Sequence, residues 1–153
     1  MTATTEATLA AKAKADGIEK IVIGAVVTDE LGRVLLLQRD PHEFMSELWE
    51  LPSGEVEAGE TWAAALQREL AEEAGIPVPA SLGDFVGSFD YRSHSGRETR
   101  QFNFAVQAAG MPPVHLSPEH QAHVWVGSAA QIPGNTSAEV AALVTAFLKS
   151  KAA

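Results

Sequence analysis

From Ile18 to Thr28 the chain reads IEKIVIGAVVT, a segment dense in β-branched side chains and short enough for one buried strand. Asp29-Glu30-Leu31-Gly32 predicts a turn, after which Arg33 to Gln38 (RVLLLQ) predicts the partner strand. Residues 39–53 form a polar connection holding Pro41 and Pro52. The pattern then turns helical: residues 61–74, TWAAALQRELAEEA, begin at the N-cap candidate Thr61 and end before Gly75, with Pro77 and Pro79 preventing continuation. Two further strands are expected over Gly83–Tyr91 and Thr99–Ala108, separated by the polar turn SHSGRE, and a short one over His123–Val126. A last helix is expected from about Ser137 to Lys149, burying Val140, Leu143, Val144, Phe147 and Leu148. Residues 1–17 are Ala/Thr/Lys-rich with few large apolar side chains, and read as a flexible tail or weak helix outside the core. The rest, 18–150, reads as a single α/β domain with a mixed sheet between helices.

Composition narrows the function classes. A chain of 153 residues with 46% hydrophobic and 20% charged residues fits one soluble domain with a core of its own. No apolar run approaches the roughly 18–20 residues that span a bilayer, and the N-terminus lacks the apolar stretch of a signal peptide. The absence of Cys excludes a disulfide framework, a zinc–thiolate site and a thiol nucleophile, and fits a cytoplasmic enzyme. A formal charge of −9 repels a phosphate backbone at long range, so long nucleic acid is not an expected partner. Small phosphorylated molecules stay open if a cation bridges them to the protein.

The chemistry concentrates in residues 54–76, GEVEAGETWAAALQRELAEEAGI. Glu69, Glu72 and Glu73 fall at i, i+3 and i+4, so they project from neighbouring positions on one helix face, beside the apolar Leu66, Leu70 and Ala74. Like charges so placed destabilise a helix by tenths of a kcal/mol per pair, and its C-terminal half is the wrong end for carboxylates. A hard divalent cation relieves both penalties, and magnesium takes oxygen ligands from carboxylates and phosphates. An ExxEE alone also describes an ordinary solvated acidic face.

The whole segment resembles the Nudix box. That pattern is Gly, five residues, Glu, seven residues, Arg-Glu-aliphatic, one residue, Glu-Glu, one residue, Gly-aliphatic; Gly54, Glu60, Arg68, Glu69, Leu70, Glu72, Glu73, Gly75 and Ile76 fill all nine positions. A chance match is on the order of 10⁻⁷ at ordinary residue usage. The similarity extends through VLLLQR, LWELPSGEVEAGET and SPEHQAHVWV, covering roughly residues 20–130, although Ser53 stands where Gly is frequent.

The resemblance implies an α/β/α sandwich with a mixed β-sheet, in which the box forms loop–helix–loop. It implies a magnesium-dependent hydrolase, with manganese as a substitute, that cleaves a diphosphate linkage in a nucleoside triphosphate or other nucleoside diphosphate derivative by attack of a metal-bound water. Glu69, Glu72 and Glu73 would be metal ligands, joined by the carbonyl of Gly54; Arg68 would hold a neighbouring glutamate, and Glu60 would support the loop. Glu119 in LSPEH is the leading candidate outside the box for taking the proton, with His120 next. Arg39 is a candidate for a substrate phosphate, Phe44 and Trp49 for stacking on a base, and Tyr91 for the place where some dinucleoside polyphosphate hydrolases carry a tyrosine. Arg92, Arg97 and Arg100 form a basic island that would suit an anionic substrate. His42, His94, His115 and His123 show no metal-ligand spacing and read as structural or solvent-facing. A proline common in the ADP-ribose group about fifteen residues past the box is missing, which disfavours that substrate. Dimers are frequent among similar proteins, so a homodimer is compatible with the resemblance. Two rivals share the fold: a non-catalytic ligand sensor, opposed by the intact box, and a prenyl diphosphate isomerase, opposed by the absent cysteine.

Overall fold

The computed structural model describes residues 3–152. Their elements run α1 (Ala3–Ala15), β1 (Lys20–Thr28), β2 (Val34–Arg39), β3 (Trp49–Glu50), β4 (Ser53–Glu55), α2 (Trp62–Ala74), β5 (Phe85–Arg92), β6 (Glu98–Gln107), β7 (His120–Val126) and α3 (Ala138–Ala152). The strands form one mixed sheet of order β3-β2-β1-β6-β5, with β4 on β1 and β7 on β2. Among the strands of the described residues only β1 and β6 pair in parallel, over the whole of β1.

Two apolar layers sandwich the sheet. On one face Ile23, Ala25, Val27, Leu35, Leu37, Phe102 and Phe104 pack against Trp62, Leu66 and Leu70 of α2. On the other, Val26, Val34, Leu36 and Val126 pack against Val140, Val144 and Phe147 of α3. The strict alternation of β2 (Val34 and Leu36 to one side, Leu35 and Leu37 to the other) explains its unbroken hydrophobic run: it is buried on both faces.

Three expectations change. The β1–β2 segment is not an extended hairpin, because the two strands share only the Thr28–Val34 pair; β2 pairs along its length with β7, which begins at His120 rather than His123. Next, the polar connection at 39–53 contains β3 and the first residue of β4. Finally, the N-terminal segment is not outside the core. It forms α1, whose Ala13 is buried with Leu9 and Ala10 packed around it, and Glu6 Oε1 accepts the Trp62 backbone N–H at 3.4 Å. Small side chains let this helix approach closely, which is why its low hydrophobicity misleads.

The turn after β1 is closed by Asp29. Its Oδ1 accepts the backbone N–H groups of Leu31 and Arg33, each at 3.0 Å, and its Oδ2 lies 2.7 Å from an Arg33 Nη. Burial pushes the carboxyl up, but the hydrogen bonds from Arg33 and Leu31 outweigh it and hold it below the ordinary value of 3.8. A depressed folded pKa gives stability that is present above the unfolded value and lost as pH falls through the folded one. Asp29→Asn is therefore expected to cost roughly 1–3 kcal/mol at pH 7. The deficit should shrink on acidification, as read by urea melts between pH 7 and pH 2.

Candidate active site

Seven residues are nearly two full helical turns, so Glu73 lies on the same stripe of α2 as Leu66. The helix buries Trp62, Ala65, Leu66, Leu70, Glu73 and Ala74 as one face. Thr61 caps its start by accepting the Ala64 N–H at 3.1 Å, and Gly75, at φ 66°, closes its end with N–H groups of Gly75 and Ile76 returning to Ala71 and Leu70. These caps fix where the helix starts and stops, and its apolar face fixes its rotation against the sheet. The consequence is an ionisable side chain, only 6% exposed, wedged beneath the sheet edge.

Glu73 Oε1 accepts the Ser53 backbone N–H at 2.8 Å. Burial pushes its carboxyl up to about 9; the Ser53 N–H pulls the other way, and the carboxylates of Glu50, Glu69 and Glu119 push it further up. Glu69 lies against the α-carbon of Gly54, where any Cβ would collide with its carboxyl group. Burial raises Glu69 as well, against the pull of Arg68. Glu72 stands outward with 60% of its side chain exposed.

Arg68 ties the loop to the helix. Its Nη1 is 2.6 Å from Glu69 Oε1, while Nε and Nη2 grip the two Glu60 oxygens at 2.7 and 2.9 Å, the bidentate geometry of a guanidinium fork. Nη2 also donates to the Glu55 carbonyl at 3.1 Å, and Glu60 Oε1 accepts the Glu57 N–H at 3.0 Å. Held this way, the Glu60 carboxyl drops to about 2, chiefly through Arg68.

Behind Glu73 stands His120, 5% exposed. Its Nε2 is 2.8 Å from Glu50 Oε2, which also accepts Arg39 Nη1 at 2.9 Å. Its Nδ1 faces Glu73 Oε2 at 4.0 Å and is, among the described residues, the one enclosed side-chain polar atom without a hydrogen-bond partner.

The donor set suits a hard divalent cation: all-oxygen, and with two carboxyls whose burial disfavours ionisation. Among the described residues no three candidate ligands stand close enough together to enclose an ion as they lie. Glu69 turns its Oε1 to Arg68 instead. The visible contribution of Gly54 is the space it leaves for Glu69.

The other expected residues separate. Glu119 is exposed on the loop before β7, near enough to raise both Glu69 and Glu73. Arg39 is engaged with Glu50, with Glu43 at 3.8 Å and with the Phe44 carbonyl at 2.6 Å. Phe44 is 43% exposed and stacks on His94 at 4.5 Å between centroids and 8° between planes, joining the loop after β2 to the β5–β6 turn. Trp49, expected as a stacking side chain, is instead packed against the α3-side core, because its position on β3 points it inward. Tyr91 is partly buried, its hydroxyl raised to about 12 by burial and by Glu50. The basic island is not free for an anion: Arg92 pairs with Glu98, Arg97 with Glu55, and Arg100 with Asp90 and Asp16. Glu50 went unnoticed in the sequence; its signal was a lone charge between Trp49 and Leu51. Gln101 and Asn103 went unnoticed too, although polar residues recur at Thr99, Gln101 and Asn103 with the period of a strand.

The model of the NUDIX domain matches residues 19–141. The CTP pyrophosphohydrolase of Escherichia coli is 36% identical over 111 residues, covering 71% of this chain and 76% of that protein. A putative 8-oxo-dGTP diphosphatase 2 of Mycobacterium tuberculosis is 40% identical over 110 residues, covering 71% of this chain and 73% of that one. Among solved structures, a MutT protein from Methanosarcina mazei superposes with a TM-score of 0.75 at 25% identity, over 89% of this chain and 97% of that one. A C. elegans Ap4A hydrolase superposes at 0.71, also at 25% identity, over 88% and 98%. The chain belongs to the Nudix family. It is a pyrophosphohydrolase of that family, with the α/β/α fold and the box residues arranged as described.

Glu73 supplies a direct check on the geometry. A raised folded pKa means stability fully present below the unfolded value near 4.5 and lost as pH climbs toward about 9. With divalent cations chelated, Glu73→Gln stays neutral throughout and is expected to melt higher than the parent at pH 8–9, with the gap closing toward pH 5. Equal melting temperatures across that range would mean that Glu73 is not buried as described. Gly54→Ala is expected to displace Glu69 and lower kcat at least tenfold, since a misplaced group near the chemistry costs up to roughly 10².

Proposed function

We propose that the protein hydrolyses a diphosphate linkage in a nucleoside triphosphate or a related nucleoside diphosphate derivative, with Mg²⁺ as its cofactor and Mn²⁺ as a substitute. The observation that carries this reading is the buried Glu73 beside Glu69, two carboxyls whose environment disfavours ionisation and favours an added cation. The named activities of the relatives, on CTP and on 8-oxo-dGTP, support a nucleotide as substrate. A formal charge of −9 points to small phosphorylated molecules rather than long nucleic acid. The same reading assigns the enzyme to the cytoplasm and is compatible with a homodimer.

Glu69, Glu72 and Glu73 would hold the cation. Bound there, it would supply Lewis acidity, offsetting phosphate charge and making an attacking water more acidic. In the hydrolysis the water oxygen bonds to one phosphorus as its bond to the bridging oxygen breaks, and the leaving phosphate takes a proton. Glu119, exposed and with a charge felt by both Glu69 and Glu73, would accept the proton that the water loses. Arg68 keeps Glu69 and Glu60 in register, and the Ser53 N–H holds Glu73, with His120 Nδ1 4.0 Å away.

The test is product analysis after incubation with Mg²⁺ and a panel of nucleoside triphosphates and diphosphate derivatives. A monophosphate plus pyrophosphate, or two phosphorylated fragments, is expected. EDTA should abolish turnover, and Mg²⁺ or Mn²⁺ should restore it. Glu73→Gln should lower kcat by roughly 10²–10⁴. Full activity in chelator, or in a folded Glu73→Gln variant, would overturn the assignment.

A further inference from the structure

Strand β6 carries two buried amides where its neighbours carry apolar groups or none. Gln101 is 5% exposed and Asn103 is completely buried. In register, Gln101 lies between Phe89 of β5 and Val22 of β1, and Asn103 between Gly87 and Gly24. Gly24 is what admits them, because any Cβ at that position would collide with both amide groups. On the far side of β1, Gly24 pairs with Ser53, the residue whose N–H holds Glu73. Two strand spacings, about 10 Å, thus separate the amides from the edge where Glu73 sits. That is about the reach from a nucleobase to the phosphate chain of a nucleotide.

The hydrogen bonds fix which way each amide points. The Gly87 carbonyl can only accept, so the group facing it at 3.1 Å is Asn103 Nδ2. Asn103 Oδ1 consequently faces Gln101, which must present Nε2 to it, at 2.8 Å. Gln101 Oε1 is left over. It accepts from no described residue, yet it is not among the fully enclosed polar atoms without a partner, which comprise His120 Nδ1 alone among the described residues. It is an oriented acceptor on the sheet face that Gln101 shares with its register partner Phe89.

We propose that Gln101 Oε1 reads an N–H donor, an exocyclic amine, on the base of the nucleotide substrate, with Asn103 as the positioning residue that prevents the amide from flipping. This rests on the nucleotide pyrophosphohydrolase reading above and adds base specificity to it. An amide free to rotate would offer either its oxygen or its nitrogen and would not discriminate. Locked through the Gly87 carbonyl, this one offers oxygen alone, so a base presenting its own oxygen there meets an unpaired acceptor.

The experiment compares kcat/KM for matched triphosphates that differ in that group, CTP against UTP and GTP against ITP, in the parent and in Gln101→Met. The parent is expected to favour the amine-bearing member of at least one pair by about tenfold or more. Gln101→Met should bring that ratio close to one, and calorimetric affinities for CMP and UMP, or GMP and IMP, should change in parallel without turnover. If Gln101→Met does not fold, the double variant Gln101→Met/Asn103→Leu removes both amides together, and the same ratio decides. Turnover with no base preference in the parent, or with a preference that the variant retains, overturns the assignment and leaves the hydrolase reading standing. Failure of the parent to cleave any nucleotide would overturn that reading, and this one with it.

Discussion

The burial of one carboxyl governs the site. Glu73 occupies the apolar stripe of α2 beneath the edge of β4, where a single backbone N–H, from Ser53, is its hydrogen-bonded partner. Its placement is a cost to the isolated fold, because an ionised carboxylate is expensive there and a neutral one is of less use to catalysis. The surroundings are organised around that cost. Thr61 and Gly75 set the extent of the helix, Gly54 yields space to Glu69, and Arg68 joins Glu69 to Glu60 in the preceding loop.

Positive and negative groups are distributed unevenly around this centre. Arg68 and Arg39 compensate the outlying carboxylates Glu60 and Glu50, and His120 abuts Glu50 through one ring nitrogen. Neither guanidinium reaches Glu73. The deepest carboxyl therefore keeps its mismatch with the interior, which is the kind of local conflict that marks functional sites in otherwise consistent folds. The basic residues of the β5–β6 hairpin, in contrast, are consumed in ion pairs with Glu98, Glu55, Asp90 and Asp16. The run of arginines in the sequence said nothing about whether their charge is available to a ligand.

The opposite face of the sheet obeys another logic. Along β6 the apolar Phe102 and Phe104 serve the α2 side, while Gln101 and Asn103 turn to the other side, where Gly24 leaves room. Parallel pairing of β1 with β6 sets Gly24 directly beside Asn103, so the amide pair and the anchor of Glu73 share one strand as their common wall. On the proposed reading, chemistry at the diphosphate and recognition of the base would be built on the same rigid element rather than on separate loops.

Much of this was legible in the chain because it is local. The limits of α2 follow from Thr61, Gly75 and the prolines beyond; the box is a fixed spacing; the double burial of β2 is written in its unbroken apolar run. The carboxylate partners of Arg68, Glu69 and Glu60, lie one and eight positions away within the box, so they too could be anticipated. What the sequence could not supply was anything decided by which distant segment arrives alongside. The pairing of β2 with β7 brings His120 to Glu50 across seventy positions, and the packing of α1 turns an unremarkable alanine-rich segment into part of the core. Gln101 and Asn103 read as two polar residues in a strand until Gly24 and Gly87 stand beside them. Short-range preferences depend on neighbours in the chain, whereas burial, ion pairing and amide orientation depend on neighbours in space, and only the tertiary structure chooses those.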